Sequence, residues 1–368
     1  MNPSTIHKAL LATTMLSLTP MAQAVDTQAT VSGVFAYSIS QFDGDVSGTD
    51  TDAENNASSV RLRAQASEDG YSGFVVYERG LDRFNSASVN TEQQDFVREF
   101  FGGIGTRYGT VSYGRRSTFY KQAAQKIDPF YDTSTAGFNG QFANEGGGYG
   151  LSNLSNGFVS NTVAYEAPVL HGLSFHAAAY LNDNGDAQAA AIPGTNDHDD
   201  YAAGLLYQDA DRGFAVGVEY LDINSIVNNV VGADANVVFG VNKPAQSEAV
   251  RVYGAYTLDA LSLGASFEQI DVEGEADARK YMMLSATYAV VPKLRLALSY
   301  GLLDDVVPNA TINPDGIDGD GFTAGAFYEV FENLTTYVAG RLVSLDSGDD
   351  TSTIAAGMAY RFKAGLTP

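Results

Sequence analysis

The chain has 368 residues, a formal net charge of −23 and no cysteine. The lack of cysteine excludes disulfides, thiol chemistry and cysteine-ligated metals, and the excess of acidic residues excludes nucleic acid as a partner. The 21 tyrosines and 20 phenylalanines exclude a disordered chain.

Residues 1–24 have the features of a signal peptide. Lys8 precedes an apolar run from Ala9 to Leu18, and Ala22-Gln23-Ala24 forms a cleavage site of the small-x-small type. The run is too short for a membrane helix, which needs about 20 apolar residues. We expect export, cleavage after Ala24, and a mature chain of residues 25–368 that folds as one domain. Its charge is −24, because the leader removes Lys8 and no acid.

The mature chain repeats one pattern: segments of about ten residues in which apolar side chains alternate with polar or small ones. In the clearest segment, Leu294 to Leu303, the even-numbered residues are Leu or Tyr, while the odd-numbered residues up to Gly301 are Arg, Ala, Ser and Gly. A period of two indicates a β-strand with one apolar face. Sixteen such segments are predicted, starting near Gln28, Ser58, Tyr71, Phe96, Gly109, Thr162, Leu173, Tyr201, Phe214, Glu248, Leu261, Lys280, Leu294, Phe322, Leu334 and Ser352.

The connections between these segments alternate in length. The hairpin-sized ones, which we interpret as periplasmic turns, are Glu68-Asp69-Gly70, Asp259-Ala260, Val291-Pro292-Lys293 and Phe331-Glu332-Asn333. The long polar ones, which we interpret as extracellular loops, lie near 40–57, 82–95, 116–160, 182–199, 225–246, 304–320 and 346–351.

This alternation, together with the export signal, favours an all-β fold: a closed antiparallel transmembrane barrel of about sixteen strands. In lipid the backbone must satisfy its own hydrogen bonds, so a sheet has to close. A soluble β-sandwich or solenoid is the alternative, but its turns need not alternate short with long. Barrels of 16–18 strands leave an aqueous channel, whereas about eight strands are filled by their own side chains.

A resemblance to a known family is carried by the run from Phe96 to Arg116, FVREFFGGIGTRYGTVSYGRR. It resembles the general (trimeric) porins of Gram-negative outer membranes, in which an Arg, a Gly-rich hairpin and Tyr-Gly-Arg lead into the third extracellular loop. The following Asp128-Pro129-Phe130 and Gly137-Phe138-Asn139-Gly140 look like that family's constriction loop. The resemblance implies an outer-membrane homotrimer with loop 3 folded into each lumen and with passive diffusion of small hydrophilic solutes as its function.

The resemblance also assigns a pore constriction. Its basic wall falls on Arg61 and Arg98, with Arg63 on the phase of Arg61 and with Arg115 and Arg116 at the entry to loop 3. Its acids fall on Asp128, Asp132 and Glu145 in the loop. Cations facing carboxylates across a narrow throat produce a transverse field that orients dipolar solutes. The alternative for these arginines is a purely stabilising role in ion pairs.

The sequence departs from the family in two places. Six residues follow Phe362, where many porins end on a terminal Phe, and Ser160 stands where close relatives often carry a further Arg. The thinner basic cluster and the acid-rich loops predict a mild cation preference, although salt screens such loop charges beyond about 8 Å.

We expect no enzyme activity, cofactor or metal site. Of the three histidines after residue 24, only His176 lies in a predicted strand, and it has no convincing nucleophile partner. The run Asp318-Gly319-Asp320-Gly321 lacks the ligand spacing and closing Glu of a calcium loop. The expected partners are further copies of this chain, outer-membrane lipids and lipopolysaccharide, with divalent cations as a possible bridge, and small solutes.

Two other functions stay open. A substrate-selective porin for phosphate, sugars or acidic solutes would show an aromatic ladder, at which Tyr253 and Tyr281 hint. A structural or adhesive barrel would have a filled lumen and long loops that bind another cell.

Overall fold

The fold is a single closed β-sheet. The computed structural model describes residues 26–44, 48–81, 97–137, 149–181, 200–223, 247–272, 275–306, 317–346 and 350–366. Within them, every β-segment is antiparallel to its neighbours. The segments are β1 (Asp26–Gly44), β2 (Gly48–Asn55), β3 (Ser59–Glu68), β4 (Tyr71–Gly80), β5 (Val97–Thr106), β6 (Gly109–Ser117), β7 (Phe158–Glu166), β8 (Leu173–Tyr180), β9 (Asp200–Asp209), β10 (Phe214–Ile223), β11 (Ser247–Leu258), β12 (Leu261–Val272), β13 (Arg279–Val291), β14 (Leu294–Val306), β15 (Ile317–Phe331), β16 (Leu334–Leu345) and β17 (Thr351–Gly365).

The sheet closes because β1 pairs with β17, from Thr30↔Gly365 to Gly44↔Thr351. The sheet has 17 segments, but β2 and β3 both pair with β1. β2 pairs with its second half, from Tyr37 to Gly44, and β3 pairs with its first half, from Asp26 to Val34. They are therefore two pieces of one strand position. Counted around the wall, the barrel has sixteen strands, as predicted.

The strand positions agree with the sequence pattern. Most strands begin within two residues of the predicted start, and the largest differences are β7 at Phe158 and β15 at Ile317, which begin earlier. The prediction of an irregular loop near 40–57 is wrong. In the structure β1 extends to Gly44, the chain turns, and β2 runs back from Gly48 paired with it as a hairpin. Polar side chains hid this hairpin from a pattern that looks for an apolar face.

The two faces of the wall differ in the way that the alternation predicts. In β14, Leu296, Leu298 and Tyr300 are exposed on the outside, while Ala297 and Ser299 are buried on the inside. The outward apolar band is the surface that a bilayer would cover. Among the residues that the structure describes, no helix has the length and apolar content needed to cross a membrane.

The short turns are built from residues that accept the left-handed backbone region. Asp69 and Gly70 have φ of 48° and 80°, and they join β3 to β4 in a two-residue hairpin turn. Asp259 and Asn333 have φ of 50° and 73° at equivalent ends of later hairpins. Such turns match the right-handed twist of the strands, so they fix the register of each hairpin.

Loop 3 begins after β6 and lies inside the barrel. Thr118 caps helix α1 (Phe119–Ala124) by accepting a hydrogen bond from the Lys121 backbone N–H. The described part of the loop then runs to residue 137, and its return segment contains a 3-10 helix, Asn153–Asn156. Residues 138–148 lie outside the described residues.

Glycines on the inner wall make room for this loop. A Cβ at Gly301 would overlap the Tyr149 carbonyl oxygen, and one at Gly264 would come within 2.9 Å of the Ile127 carbonyl oxygen. At Gly301 all the nearest obstructing atoms are backbone atoms of loop 3, so the loop could not yield by rotating a side chain. The loop is therefore seated against the wall at a distance that only glycine permits.

Gly301→Ala tests this seating. We expect the barrel to form but the added methyl group to push loop 3 toward the lumen, with a loss of about 1–3 kcal/mol in stability and a lower single-channel conductance. Thermal denaturation and planar-bilayer recording measure the two effects. Gly254→Ala is the matched control, because its Cβ would meet its nearest atom at 3.5 Å; equal behaviour of the two variants would contradict the packing described.

Candidate functional site

The site is the narrow part of the lumen, and its position depends on how loop 3 is held. A buried ion pair joins Arg251 on β11 to Glu268 on β12, with 2.8 Å between Nη2 and Oε2. The two residues are register neighbours in the β11–β12 hairpin. Both side chains are fully buried, so each charge needs the other and further hydrogen bonds to offset its lost hydration.

Loop 3 supplies those hydrogen bonds. The Tyr120 hydroxyl donates to Glu268 Oε1 at 2.9 Å, and both the backbone N–H and the hydroxyl of Ser152 donate to the same carboxylate. Arg251 donates to the Tyr120 carbonyl at 2.9 Å and to Ser155 Oγ at 2.7 Å, and its guanidinium lies 4.0 Å from the Tyr120 ring centroid. The ion pair thus fastens both the outgoing and the returning segment of the loop.

Further contacts hold the loop along the wall from β13 to β1. The Ser285 hydroxyl donates to the Ile127 carbonyl at 2.5 Å, and Arg341 donates to the Ala136 carbonyl at 3.3 Å. Phe130 is buried, and its ring centroid lies 5.7 Å from that of Phe327. The loop therefore covers one side of the lumen and leaves the wall of β3 to β6 facing the open space.

The open wall carries a compensated charge cluster. Arg61 contacts Glu78 at 3.0 Å and Glu99 at 2.5 Å, while Arg98 contacts Glu78 at 3.2 Å. Glu78 and Glu99 are directly opposite in the β4–β5 register, an arrangement that is unfavourable for like charges without a cation between them. Two arginines and two glutamates give this cluster no net charge.

Arg98 reaches the lumen through a β-bulge. By simple alternation it shares the phase of Phe100, which is exposed on the outside. The register shifts between Glu78 and Arg79, so that Arg98 is the extra residue of the bulge. This bulge lets the side chain turn inward, where it also donates to the Ala57 carbonyl at 3.2 Å.

Arg115 and Arg116 point to opposite sides of the wall. Arg115 is the register neighbour of Phe100, and cross-strand neighbours share a face, so Arg115 belongs to the outer surface. Its assignment to the pore constriction is therefore corrected. Arg116 faces inward, is buried, and contacts Glu166 at 2.9 Å. This agrees with the alternation along β6, in which Val111 and Tyr113 are exposed on the outside and Ser112 is buried on the inside.

Arg63 is the most accessible arginine of the predicted wall. It is exposed on the same inner face as Arg61 and donates to Gln65 Oε1 at 3.0 Å. Its guanidinium lies 4.8 Å from the Phe74 ring centroid. Among the described residues, Arg63 makes no ion pair, unlike Arg61, Arg98 and Arg116.

The three predicted loop acids differ in placement. Asp128 is buried and accepts hydrogen bonds from the Phe130 and Gly137 backbone N–H groups at 2.9 and 2.7 Å. Burial raises the pKa of this carboxyl to about 6. Asp128 therefore fixes the shape of loop 3 and does not face the throat. This corrects its predicted place among the acids of the pore constriction. Asp132 is exposed, and Glu145 lies outside the described residues.

Asp132 faces a cation that the sequence analysis did not identify. Its carboxylate lies 3.8 Å from the guanidinium of Arg361 on β17, and both side chains are about half exposed. Lys363 follows on the same phase of β17 and is also exposed. The alternation of β17 was the available signal, because it places Arg361 opposite Tyr360 and Phe362, which belong to the apolar face.

His176 has an acid and aromatic rings as neighbours. Its Nε2 lies 2.7 Å from Glu219, and its ring stacks on Phe119 at 4.0 Å between centroids. Neither partner is a hydroxyl or thiol that the imidazole could activate as a nucleophile. Tyr253 and Tyr281 are both buried, so they do not form an aromatic ladder along the open lumen.

One group of carboxylates has the spacing of metal ligands. Asp304, Asp305 and Asp318 bring one oxygen each within 4.8 Å of the others. The ammonium of Lys280 lies 2.8 Å from Asp304 and 3.1 Å from Asp305. A cationic side chain therefore already neutralises part of this group.

Comparison with known proteins gives a family and several similar folds. A family model described as Gram-negative porin matches residues 12–349. No curated protein matches the chain.

Among solved structures, the anion-selective porin from Comamonas acidovorans is 15% identical with a TM-score of 0.68, covering 92% of this chain and 100% of that one. OmpF of Salmonella typhi, in complex with daunomycin, is 17% identical with a TM-score of 0.63, covering 92% and 97%. The trimer form of OmpT, an outer membrane protein of Vibrio cholerae, is 15% identical with a TM-score of 0.61, covering 92% and 100%. At these identities the likeness concerns the fold.

Glu268→Gln tests the anchor of loop 3. The substitution keeps the shape of the side chain but leaves Arg251 buried without a counter-charge, which costs about 3–5 kcal/mol. We expect loop 3 to detach, giving larger and noisier single-channel currents. Combining Glu268→Gln with Arg251→Met removes the uncompensated charge and should restore much of the lost stability, but the currents should stay large and noisy because the bonds from Arg251 to Tyr120 and Ser155 are also gone. Quiet currents in the single variant would show that the ion pair does not hold the loop.

The docking of loop 3 should also depend on pH through Lys121. Burial lowers the pKa of its ammonium from 10.5 to about 7, and Nζ donates to Asn156 Oδ1 at 2.6 Å. The stabilising contribution of the neutral amine is therefore lost as pH falls from about 10.5 to about 7. Asp128 has the opposite effect, because its raised pKa makes its contribution disappear as pH rises through about 6.

Lys121→Met separates the two groups. In the unsubstituted protein, we expect hydrogen exchange at residues 119–124, corrected for intrinsic rates, to accelerate as pH falls from about 10 to about 7, because over this range the unfolded state binds the Lys121 proton and the folded state does not. The variant should lose this change and keep the slowing between about pH 6 and pH 4 that Asp128 produces. Identical corrected pH profiles would rule out Lys121 as a contributor.

Proposed function

The chain belongs to the Gram-negative porin family and forms an outer-membrane channel, and we propose that it passes ions and small hydrophilic solutes by passive diffusion with a mild preference for cations. The observation that carries this proposal is the free wall opposite loop 3. Arg61 on this wall exposes 36% of its side chain, and Arg361 on β17, beside Asp132 of loop 3, exposes 53%. Charged groups at such exposure require water around them.

The paired charges support a diffusion pore. Arg61, Arg98 and Arg116 each have a glutamate within 3.2 Å. A compensated wall attracts polar solutes without holding an ion of either sign tightly. Sorting by size and dipole, with little retention, is the expected result.

The cation preference rests on the extracellular ends of the strands and on the net charge. Asp222, Glu248 and Asp271 form one row of register neighbours across β10, β11 and β12, and Asp50 and Asp52 are exposed on β2. The cations Arg63 and Lys363 inside the lumen oppose this acidic mouth. The preference should therefore be mild and should weaken as salt shortens the reach of the mouth charges.

The proposed export route and assembly follow from other parts of the chain. We propose that residues 1–24 are a cleaved signal peptide and that the mature chain assembles as a homotrimer. The outward positions Ala64, Ala66, Gly73 and Gly102 on β3 to β5 are small, which suits the close approach of a second barrel wall. Arg115 on the same outer side bonds to the Val97 carbonyl and Ser160 Oγ.

Lipid contacts are a further part of the proposal. The row Asp222, Glu248 and Asp271 lies on the outward phase at the extracellular end, and like charges directly opposite each other are unfavourable. Divalent cations between this row and lipopolysaccharide phosphates would relieve the repulsion.

The alternative of a substrate-selective porin for sugars was favoured by Tyr253 and Tyr281 as members of an aromatic ladder. Both side chains are buried, so they no longer support it.

Reversal potentials under a potassium chloride gradient test this function. We expect stable conductance and a cation-favouring potential that is larger in about 0.01 M than in about 1 M salt, because the Debye length falls from about 30 Å to about 3 Å. An anion-favouring potential at both salt levels would contradict the proposed preference. Absent conductance from folded, inserted protein would contradict the channel itself.

The variants Arg61→Ala and Arg98→Ala test whether these two arginines contribute to the ion selectivity of the lumen. Each variant should fold and should raise the cation-to-anion permeability ratio roughly twofold, because Glu78 and Glu99 lose a counter-charge close to the water-filled path. Lys280→Gln is the matched control, since it removes one positive charge on the outer phase of β13. Unchanged reversal potentials in both arginine variants would remove these residues from the constriction.

A further inference from the structure

A continuous line of arginine and aromatic side chains crosses the inner wall from β3 to β8. Arg63 lies 4.8 Å from the Phe74 ring centroid, and the Phe74 and Phe101 rings meet edge to face at 6.1 Å. Arg116 lies 5.2 Å from Phe101 and 4.8 Å from Phe119, and Phe119 stacks on the His176 ring. We call these six residues the cation–aromatic ladder.

The ladder has one closed end and one open end. Arg116 and Phe119 are buried, and Arg116 is neutralised by Glu166 at 2.9 Å. At the other end Arg63 is exposed, and Phe74 and Phe101 are partly exposed. The open end therefore offers aromatic edges and a guanidinium to the lumen at the same place.

No carboxylate of the described residues competes for Arg63 at this end. Among the described residues its polar contact is Gln65 Oε1, at 3.0 Å, and no ion pair involves it. Gln65 and Phe74 hold the guanidinium in place, so an incoming anion does not have to order it. A pre-positioned guanidinium presents paired N–H donors that match a planar carboxylate.

The wall beneath Phe74 is shaped to hold its ring. A Cβ at Gly103 would lie 2.7 Å from Phe74 Cζ, so the tip of the ring occupies the space that a side chain at this position would need. Any larger residue at 103 would push the ring into the lumen. The glycine therefore keeps the aromatic surface at the edge of the permeation path.

From this arrangement we propose that the open end of the ladder is a binding site for aromatic carboxylates, with the carboxylate on Arg63 and the solute ring against Phe74 and Phe101. The proposal rests on the channel function and adds a solute class to it. A ring without charge lacks the guanidinium contact, and an aliphatic acid lacks the ring contact. The site therefore selects solutes that carry both.

Blockade of single-channel current by benzoate is the test. We expect benzoate to interrupt the current at concentrations where acetate and benzyl alcohol do not. Arg63→Gln and Phe74→Leu should each weaken the blockade roughly fivefold, since each removes one of the two contacts. Phe74→Leu keeps an apolar side chain on the wall, so a loss in this variant reports on the aromatic ring.

Arg295→Gln is the matched control. It removes the same charge from the inner face of β14, five strand positions from β3, and benzoate blockade should persist in it with at most a small change. Equal losses in Arg295→Gln and Arg63→Gln would overturn the site in favour of general electrostatic attraction. Benzoate acting no more strongly than acetate would overturn it as well, whereas a protein without conductance would instead contradict the channel function.

Discussion

The structure depends on one constraint: a backbone in lipid has no water to accept its hydrogen bonds, so every strand must pair on both sides. The pairing of β1 with β17 satisfies the last two edges. Once sixteen strands close in this way, the barrel is too wide for wall side chains to fill. The inside is then occupied by water and by the one loop that folds inward.

Charge within the barrel is arranged in two ways. Where loop 3 meets the wall, Arg251 and Glu268 are fully buried and form a mutual ion pair that also bonds to the loop. On the free wall, Arg61 remains partly accessible, whereas its partners Glu78 and Glu99 are largely buried. Buried pairs hold the loop in position, and the accessible cations determine what the remaining space attracts. Glycines such as Gly301 set how close loop 3 lies to the wall, and they thereby set how much of the lumen stays open.

Much of this arrangement could be predicted from the sequence, because the alternation gave the strand starts and the two-residue turns set the registers. Counting back from Asp69-Gly70 places Arg61 opposite Glu78, and counting back from Asp259-Ala260 places Arg251 opposite Glu268. Both ion pairs were thus derivable. The inward turn of Arg98 was not, since it requires a bulge. The outward placement of Arg115 was derivable, because alternation along β6 gives it the outward phase of Val111 and Tyr113. The burial of Asp128 depends on the path of loop 3, which contains no periodic pattern.

The central claim is that the space between loop 3 and the wall of β3 to β6 is an open, water-filled path. Single-channel recording of the refolded protein without residues 1–24 tests it most directly. The structure predicts large, stable conductance steps, arriving in groups of three if the barrels assemble as trimers, that grow with salt concentration. Silence from protein shown to be folded and inserted would contradict the open path and would place a filled, structural barrel ahead of a channel.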